Sequence, residues 1–195
     1  MSYNRKDAYY HQAKKEGYKS RAAYKLMELN KKASIIKQGS SVLDCGAAPG
    51  GWCQVALKLV GKTGRVVAVD YEVITGINEP NFTFIPGNML EQETIDKILV
   101  QGFFDVVLSD MAPKTTGVKL KDHVDSMELA GVALATAEKV LKKGGAFIVK
   151  LFDGEDRPAF LKLLQSKFSK VRSIRPDATR KNSYEIYVIA SGYKG

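Results

Sequence analysis

The sequence is short of the residues that build disulfide frameworks and zinc sites. Its 195 residues include two cysteines, two histidines and one tryptophan. Cys45 and Cys53 cannot form a multi-disulfide scaffold, and with only His11 and His123 beside them no structural zinc site, and no other metal, is expected. Reduced thiols point to a cytoplasmic compartment. No apolar run approaches the roughly 18 residues of a membrane span, and the polar start has no signal-peptide core. Membrane partners are therefore not expected. The Gly-x-Gly-x-x-Gly phosphate cradle is also missing. Acids are in deficit, 21 against 30 lysines and arginines, for a net charge of +9. The length suits one domain, 1–195, large enough to bury a real core, and a monomer is expected.

The positive charge is concentrated at the start. Residues 1–38 hold ten lysines and arginines against three acids, which leaves +7, together with five of the nine tyrosines. Cations serve phosphates and rings serve unstacked bases, so this mixture fits a nucleic-acid surface better than a solvated basic helix. Residues 1–38 are thus expected to be a basic helical RNA-binding extension on a core spanning 39–195, with Lys114, Lys119 and Arg180 adding to the grip.

The core is organised around Ser41–Trp52. Val42 and Leu43 open a short apolar run; Gly46, Gly50 and Gly51 make a turn almost without side chains; Trp52, Val55, Ala56 and Leu59 then follow helical spacing. Such a turn lets a ligand approach the backbone closely. Pro49 removes an N–H that a phosphate would use, and Asp44 at the entrance repels anions, so a cationic ligand fits better. Residues 64–70 form a second apolar run ending in Asp70, nineteen positions after Gly51. That is the place for an acid that binds a ribose diol, and it points to a nucleoside-containing cofactor.

Around this centre the spacing predicts helices at 5–16 and 20–33, the second capped by Ser20 and striped by Ala22, Leu26, Leu29 and Ala33. Further strands fall at 82–85, 103–110 and 146–150, with helices at 91–100, 123–142 and 157–168 between and after them. Gly144-Gly145 reads as the stop of the long helix. Runs at 171–174 and 184–190 have no helical pattern between them, so they pair antiparallel. The fold class is α/β: a doubly wound, mostly parallel seven-stranded sheet with helices on both faces and an antiparallel final strand.

Ligands bind beyond the carboxyl ends of strands in such a sheet, and Asp70, Asp110 and Lys150 each stand at one. Lys150 lies among Phe147, Ile148, Val149, Leu151 and Phe152, so it needs a carboxylate partner or gives up its proton. Glu185 has the same problem in its own apolar strand, and Lys25 borders the apolar stripe of its helix. Lys25 in that position reaches either water or a cleft shared with the sheet, whereas Lys150, Glu185 and Asp110, each alone a structural salt bridge, together at one sheet edge read as a site.

Asp44–Trp52, Ser109-Asp-Met-Ala-Pro113, the strand ending at Lys150, Ser183-Tyr-Glu-Ile-Tyr187 and Ser20-Arg-Ala-Ala-Tyr-Lys-Leu26 together resemble the RrmJ/FtsJ family of ribose 2′-O-methyltransferases, in order and over nearly the whole chain. The resemblance implies a Rossmann-like methyltransferase fold, S-adenosylmethionine as cofactor, and a catalytic set that falls on Lys25, Asp110, Lys150 and Glu185. It places cofactor contacts on Gly50, Trp52, Asp70, Asn88 and Asp110. Asp44, Gly46, Pro49 and Gly51 of the turn, and Met89, complete the expected cofactor set. The bacterial pattern has Asp where this chain has Asn88, but an amide oxygen also accepts from an adenine amino group. The implied substrate is a nucleotide, expected to be uridine, in the ribosomal RNA of the large ribosomal subunit. The alternatives are transfer RNA, a cap nucleotide, or a catalytically silent RNA-binding assembly factor, and the intact charged set argues against silence. Pro49 and the glycine spacing weigh against a nicotinamide dehydrogenase. Asp110-Met-Ala-Pro113 lacks the Pro-Pro-aromatic turn of amino-methylating enzymes.

Overall fold

A computed structural model describes residues 8–180 and 182–195. Arg5, Lys6, Asp7 and Tyr3, which belong to the expected basic extension, lie outside the described residues.

Helices α1 (Ala8–Lys15) and α2 (Ala22–Ala33) precede an alternating core: β1 (Ser41–Cys45), α3 (Gly51–Val60), β2 (Arg65–Asp70), β3 (Phe82–Pro86), α4 (Gln92–Leu99), β4 (Phe104–Ser109), α5 (Lys119–Val140), β5 (Leu141–Phe152), α6 (Arg157–Lys167), β6 (Phe168–Ile174) and β7 (Glu185–Tyr193). The sheet order is β3-β2-β1-β4-β5-β7-β6. Strands β1 to β5 run parallel; β7 lies antiparallel between β5 and β6. Strands buried on both faces need apolar residues at nearly every position, which explains the unbroken runs at 66–69 and 146–149 and the run at 42–45, interrupted only by the buried Asp44.

Each face has its own core. Ile95 and Ile98 of α4, Ala130 to Val140 of α5, and Phe160 and Leu164 of α6 pack on one side. Ala23, Leu26 and Leu29 of α2 and Trp52 to Val60 of α3 pack on the other. Side chains of a strand alternate between faces. In β7, Ile186 and Val188 face the α5 side while Tyr187 and Ile189 face α2 and α3.

Several boundaries differ from expectation, each for a physical reason. Ser20 does not cap α2: Arg21 holds the cap position without a side-chain bond, and Ser20 packs against Gly51. The buried face of α2 is Ala23, Lys25, Leu26, Leu29 and Asn30, and Ala22 and Ala33 lie at its edge. Helix α5 starts at Lys119 instead of 123. It ends at Val140 because Leu141 turns extended and pairs with Phe104, so Gly144-Gly145 stops no helix. Gly144, at φ 83°, instead lies where the β4–β5 register shifts.

Candidate active site

Three strands set the site floor. Register pairs Leu108 with Ile148 and Ser109 with Val149, which brings Asp110, just past β4, beside Lys150. Lys150 pairs in turn with Tyr187 across β5 and β7. Directly opposed residues share a face, so these side chains meet beneath α2, which lowers Lys25 onto them.

The result is a continuous polar chain. Glu185 Oε2 accepts from Lys25 Nζ at 2.7 Å, and Lys25 also donates to the Tyr187 hydroxyl at 3.1 Å. Tyr187 donates to Asp110 Oδ1 at 2.6 Å. Lys150 Nζ pairs with the same oxygen at 3.0 Å and donates to the Asp110 carbonyl. The side chains of Lys25 and Lys150 are 10% and 5% exposed, so water contributes little and the carboxylates must compensate their charge. Burial pushes the Asp110 carboxyl up, but the ammoniums of Lys150 and Lys25 and its hydrogen bonds outweigh it and hold the group below its ordinary value. Burial, with the charges of Asp110 and Glu185, pushes the Tyr187 phenol well up, so the hydroxyl keeps its proton. The four charged residues expected to be catalytic therefore meet at one place.

Tyr187 completes the set, although nothing in the charge pattern singles it out. The signal available was period: Glu185 and Tyr187 are two apart on one strand and share a face.

Two hollows flank this chain. The first, about 280 Å³, is lined by Gly46, Asp70, Asn88, Met89 and Asp110 of the expected cofactor set, with Tyr71, Met111 and Leu129. A smaller hollow borders Asp44, Gly46, Gly51, Trp52 and Asp110. Pro49 and Gly50 line neither hollow. Gly50, at φ 106°, donates its N–H to the Ala47 carbonyl and so closes the turn. The Trp52 indole donates to the Ala22 carbonyl at 2.8 Å and packs on Tyr187, which ties α2 to α3. Asp70 accepts the N–H groups of Ala48 and Glu72, one on each oxygen, both at 2.8 Å.

Asp44 is fully buried. Its Oδ2 accepts from the Cys53 thiol at 3.2 Å, and its Oδ1 has no hydrogen-bond partner. Burial first, then the charges of Asp110 and Asp70, push its carboxyl up to about 7, against the pull of the Cys53 hydrogen bond. A buried acceptor left open beside a glycine turn fits a cationic group. Gly46 keeps the turn close: a Cβ there would stand 2.3 Å from Met111 Cγ.

On the other side a cleft of about 610 Å³ has Lys25 and Glu185 in its floor and Arg21, Lys119 and Arg180 in its walls. Lys114 is exposed on the β4–α5 loop but does not line the cleft. Lys14 and Lys15 are exposed on α1, whereas Lys19 is half-buried against the turn, its chain over Gly50. The described tyrosines of the basic segment are largely engaged: Tyr9 and Tyr18 pack on Tyr24, and Lys58 covers the Tyr18 ring at 4.3 Å. Among the described residues, no helix is long and apolar enough to cross a membrane.

Residues 18–193 match the FtsJ-like methyltransferase family model. The chain is 44% identical to the ribosomal RNA large subunit methyltransferase E of Methanothermobacter thermautotrophicus, over 98% of this chain and 92% of that one. It is 43% identical to the enzyme of the same name in Pseudomonas fluorescens, over 97% and 91%. A Plasmodium falciparum protein assigned as a ribosomal RNA methyltransferase superposes with a TM-score of 0.79 at 32% identity, covering 91% of this chain and 100% of that one. Aeropyrum pernix fibrillarin, solved with natively bound S-adenosylmethionine, shares the fold at a TM-score of 0.64 and 18% identity, over 86% and 75%.

Proposed function

The chain belongs to the FtsJ-like methyltransferase family, and on that premise we propose that it transfers a methyl group from S-adenosylmethionine to the ribose 2′-hydroxyl of a nucleotide, a uridine, in large-subunit ribosomal RNA. The observation that carries this reading is the buried chain Glu185–Lys25–Tyr187–Asp110–Lys150 standing between a nucleoside-sized hollow and a basic cleft.

The residues present fit the cofactor. Asp70 suits the ribose hydroxyls, Asn88 and Met89 the adenine, and the open oxygen of Asp44 the α-ammonium of the methionine end. Gly46 and Gly51 let that end lie against backbone, with Pro49, Gly50 and Trp52 shaping the turn from behind. When bound, the sulfonium supplies an electrophilic methyl group.

The protein's part is positioning and one proton. An ammonium has three donors, and Lys150 has two Asp110 oxygens within reach, so one donor is left for the 2′-oxygen. Both side-chain bonds to Asp110 fall on Oδ1, which leaves Oδ2 to accept from the 2′-hydroxyl; as the oxygen takes the methyl group its proton passes to Oδ2 and from there to water in the hollow that Asp110 lines. Lys25 and Glu185 hold Tyr187 and the cleft floor in place. Residues 1–38, with Lys119 and Arg180, grip phosphates, which makes 1–195 one catalytic domain with a basic arm. The protein works as a monomer in the cytoplasm, where ribosomal subunits offer this RNA.

The test is to incubate the protein and labelled S-adenosylmethionine with large-subunit ribosomal RNA, with large-subunit particles and with transfer RNA, then map the label. Label on a ribose 2′-oxygen of large-subunit RNA supports the reading. Label on a base, or only on transfer RNA, overturns it.

A further inference from the structure

We infer that Gln54 is a positioning residue for RNA, whose amide fixes the α1–α2 connection and thereby the place from which α1 presents Lys14 and Lys15. The inference rests on the proposed RNA-binding role of residues 1–38.

Helix α1 has eight described residues and buries Ala13 alone among them. A helix that short does not hold itself, so its position must come from what it docks on. Its connection to α2 has no secondary structure of its own, and Gly17 turns the chain there at φ 77°. Gln54, in the first turns of α3, takes hold of that connection from both sides. Its Oε1 accepts the Lys19 N–H at 2.8 Å, and its Nε2 donates to the Gly17 carbonyl at 3.0 Å. One side-chain amide thus satisfies a backbone donor and a backbone acceptor two residues apart, as a neighbouring strand would.

The same face of α3 continues the grip. Lys58 donates to the Tyr18 hydroxyl at 2.8 Å, the Trp52 indole holds the Ala22 carbonyl, and Gly51 lies so close to Ser20 that a Cβ would stand 2.3 Å from its Oγ. Residues 17–22 are therefore fastened to the helix that opens with the glycine turn. Gln54 touches neither hollow of the site nor the basic cleft. Its loss should move the arm's charges, and leave the reacting groups where they are.

The experiment uses the full chain and protein-free large-subunit ribosomal RNA as probe, with labelled S-adenosylmethionine. Gln54→Ala, Lys14→Glu with Lys15→Glu, and the triple combination are compared. Loss of two neutral hydrogen bonds should raise the KM for RNA about five- to tenfold in Gln54→Ala. Both kcat at saturating RNA and the Kd for S-adenosylmethionine should stay within about twofold of wild type. Gln54→Glu keeps the acceptor and loses the donor, so its KM should fall between the two. In the charge-reversed background Gln54→Ala should add less than about twofold, because the arm it positions no longer contributes. A raised KM in the charge reversal with an unchanged KM in Gln54→Ala overturns the inference, as does an equal Gln54→Ala effect in both backgrounds, which would mark a merely structural role. An unchanged KM in the charge reversal removes the RNA-binding reading of the arm and this inference with it.

Discussion

The Tyr187 hydroxyl donates to Asp110 Oδ1 at 2.6 Å, and its other side accepts from Lys25, so a neutral phenol joins two charged pairs that do not otherwise touch. Tyr187→Phe removes both bonds and leaves the ring packed on Trp52. Hydrogen bonds to charged groups are worth about 1.5–3 kcal/mol. If they hold Asp110 and Lys25 in the reacting arrangement, kcat should fall about 10- to 100-fold, with the Kd for S-adenosylmethionine unchanged. Steady-state kinetics with calorimetry check this, and an unaltered kcat would make Tyr187 packing alone.

Asp44, proposed to meet the cofactor, also bears on stability. Its folded carboxyl sits at about 7 against an ordinary 3.8. The folded state thus binds the proton more tightly than the unfolded state, so this residue's contribution is present at low pH and is lost as pH rises from about 4 to about 7. Asp44→Asn removes that penalty. Without cofactor, the variant should gain on wild type across this window, by on the order of 2–4 kcal/mol at pH 8, while binding S-adenosylmethionine more weakly. Denaturant unfolding from pH 4 to pH 8 measures the difference. A constant gap would show that Asp44 does not titrate there.

Asp70 holds the turn as well as facing the hollow. Asp70→Ala should therefore weaken S-adenosylmethionine binding by about 1.5–3 kcal/mol for the lost charge-assisted contact, roughly 10- to 100-fold in Kd. Calorimetry gives the answer directly, and an unchanged affinity removes Asp70 from the site.

Much of this was legible in the chain. Apolar runs ending at Asp70 and Asp110 marked strands whose ends meet, because a parallel sheet has one carboxyl edge, whereas β5 runs two residues past Lys150, to Phe152, because Leu151 and Phe152 still pair with β7. Charged residues inside apolar patterns marked the site, since burial is costly unless they meet each other. Tyr187 stayed hidden because a tyrosine in a strand is ordinary packing until register shows its hydroxyl between Lys25 and Asp110. The start of α5 was hidden for a similar reason. Asp122, four residues in, accepts from the Thr116 N–H at 2.7 Å and the Gly117 N–H at 3.1 Å, and so holds the preceding loop against the helix. A local propensity reading does not see that contact. The tyrosines of the basic arm read as stacking platforms, yet Tyr9, Tyr18 and Tyr24 pack on one another.

Lys150 and Asp110 are proposed to present a ribose 2′-oxygen to the methyl donor. The most direct measurement compares wild type with Lys150→Ala in a single turnover in which enzyme loaded with labelled S-adenosylmethionine meets large-subunit ribosomal RNA. Folding is verified first, because removing Lys150 leaves Asp110 without one of its charge partners and destabilises the buried chain by about 3–5 kcal/mol. Wild type should leave the label in a dinucleotide resistant to alkaline cleavage, because a methylated 2′-oxygen cannot attack its phosphate. A folded Lys150→Ala protein should bind S-adenosylmethionine within about twofold of wild type and transfer no methyl group. Alkali-labile product from wild type, or a near-normal single-turnover rate from the folded variant, would contradict it.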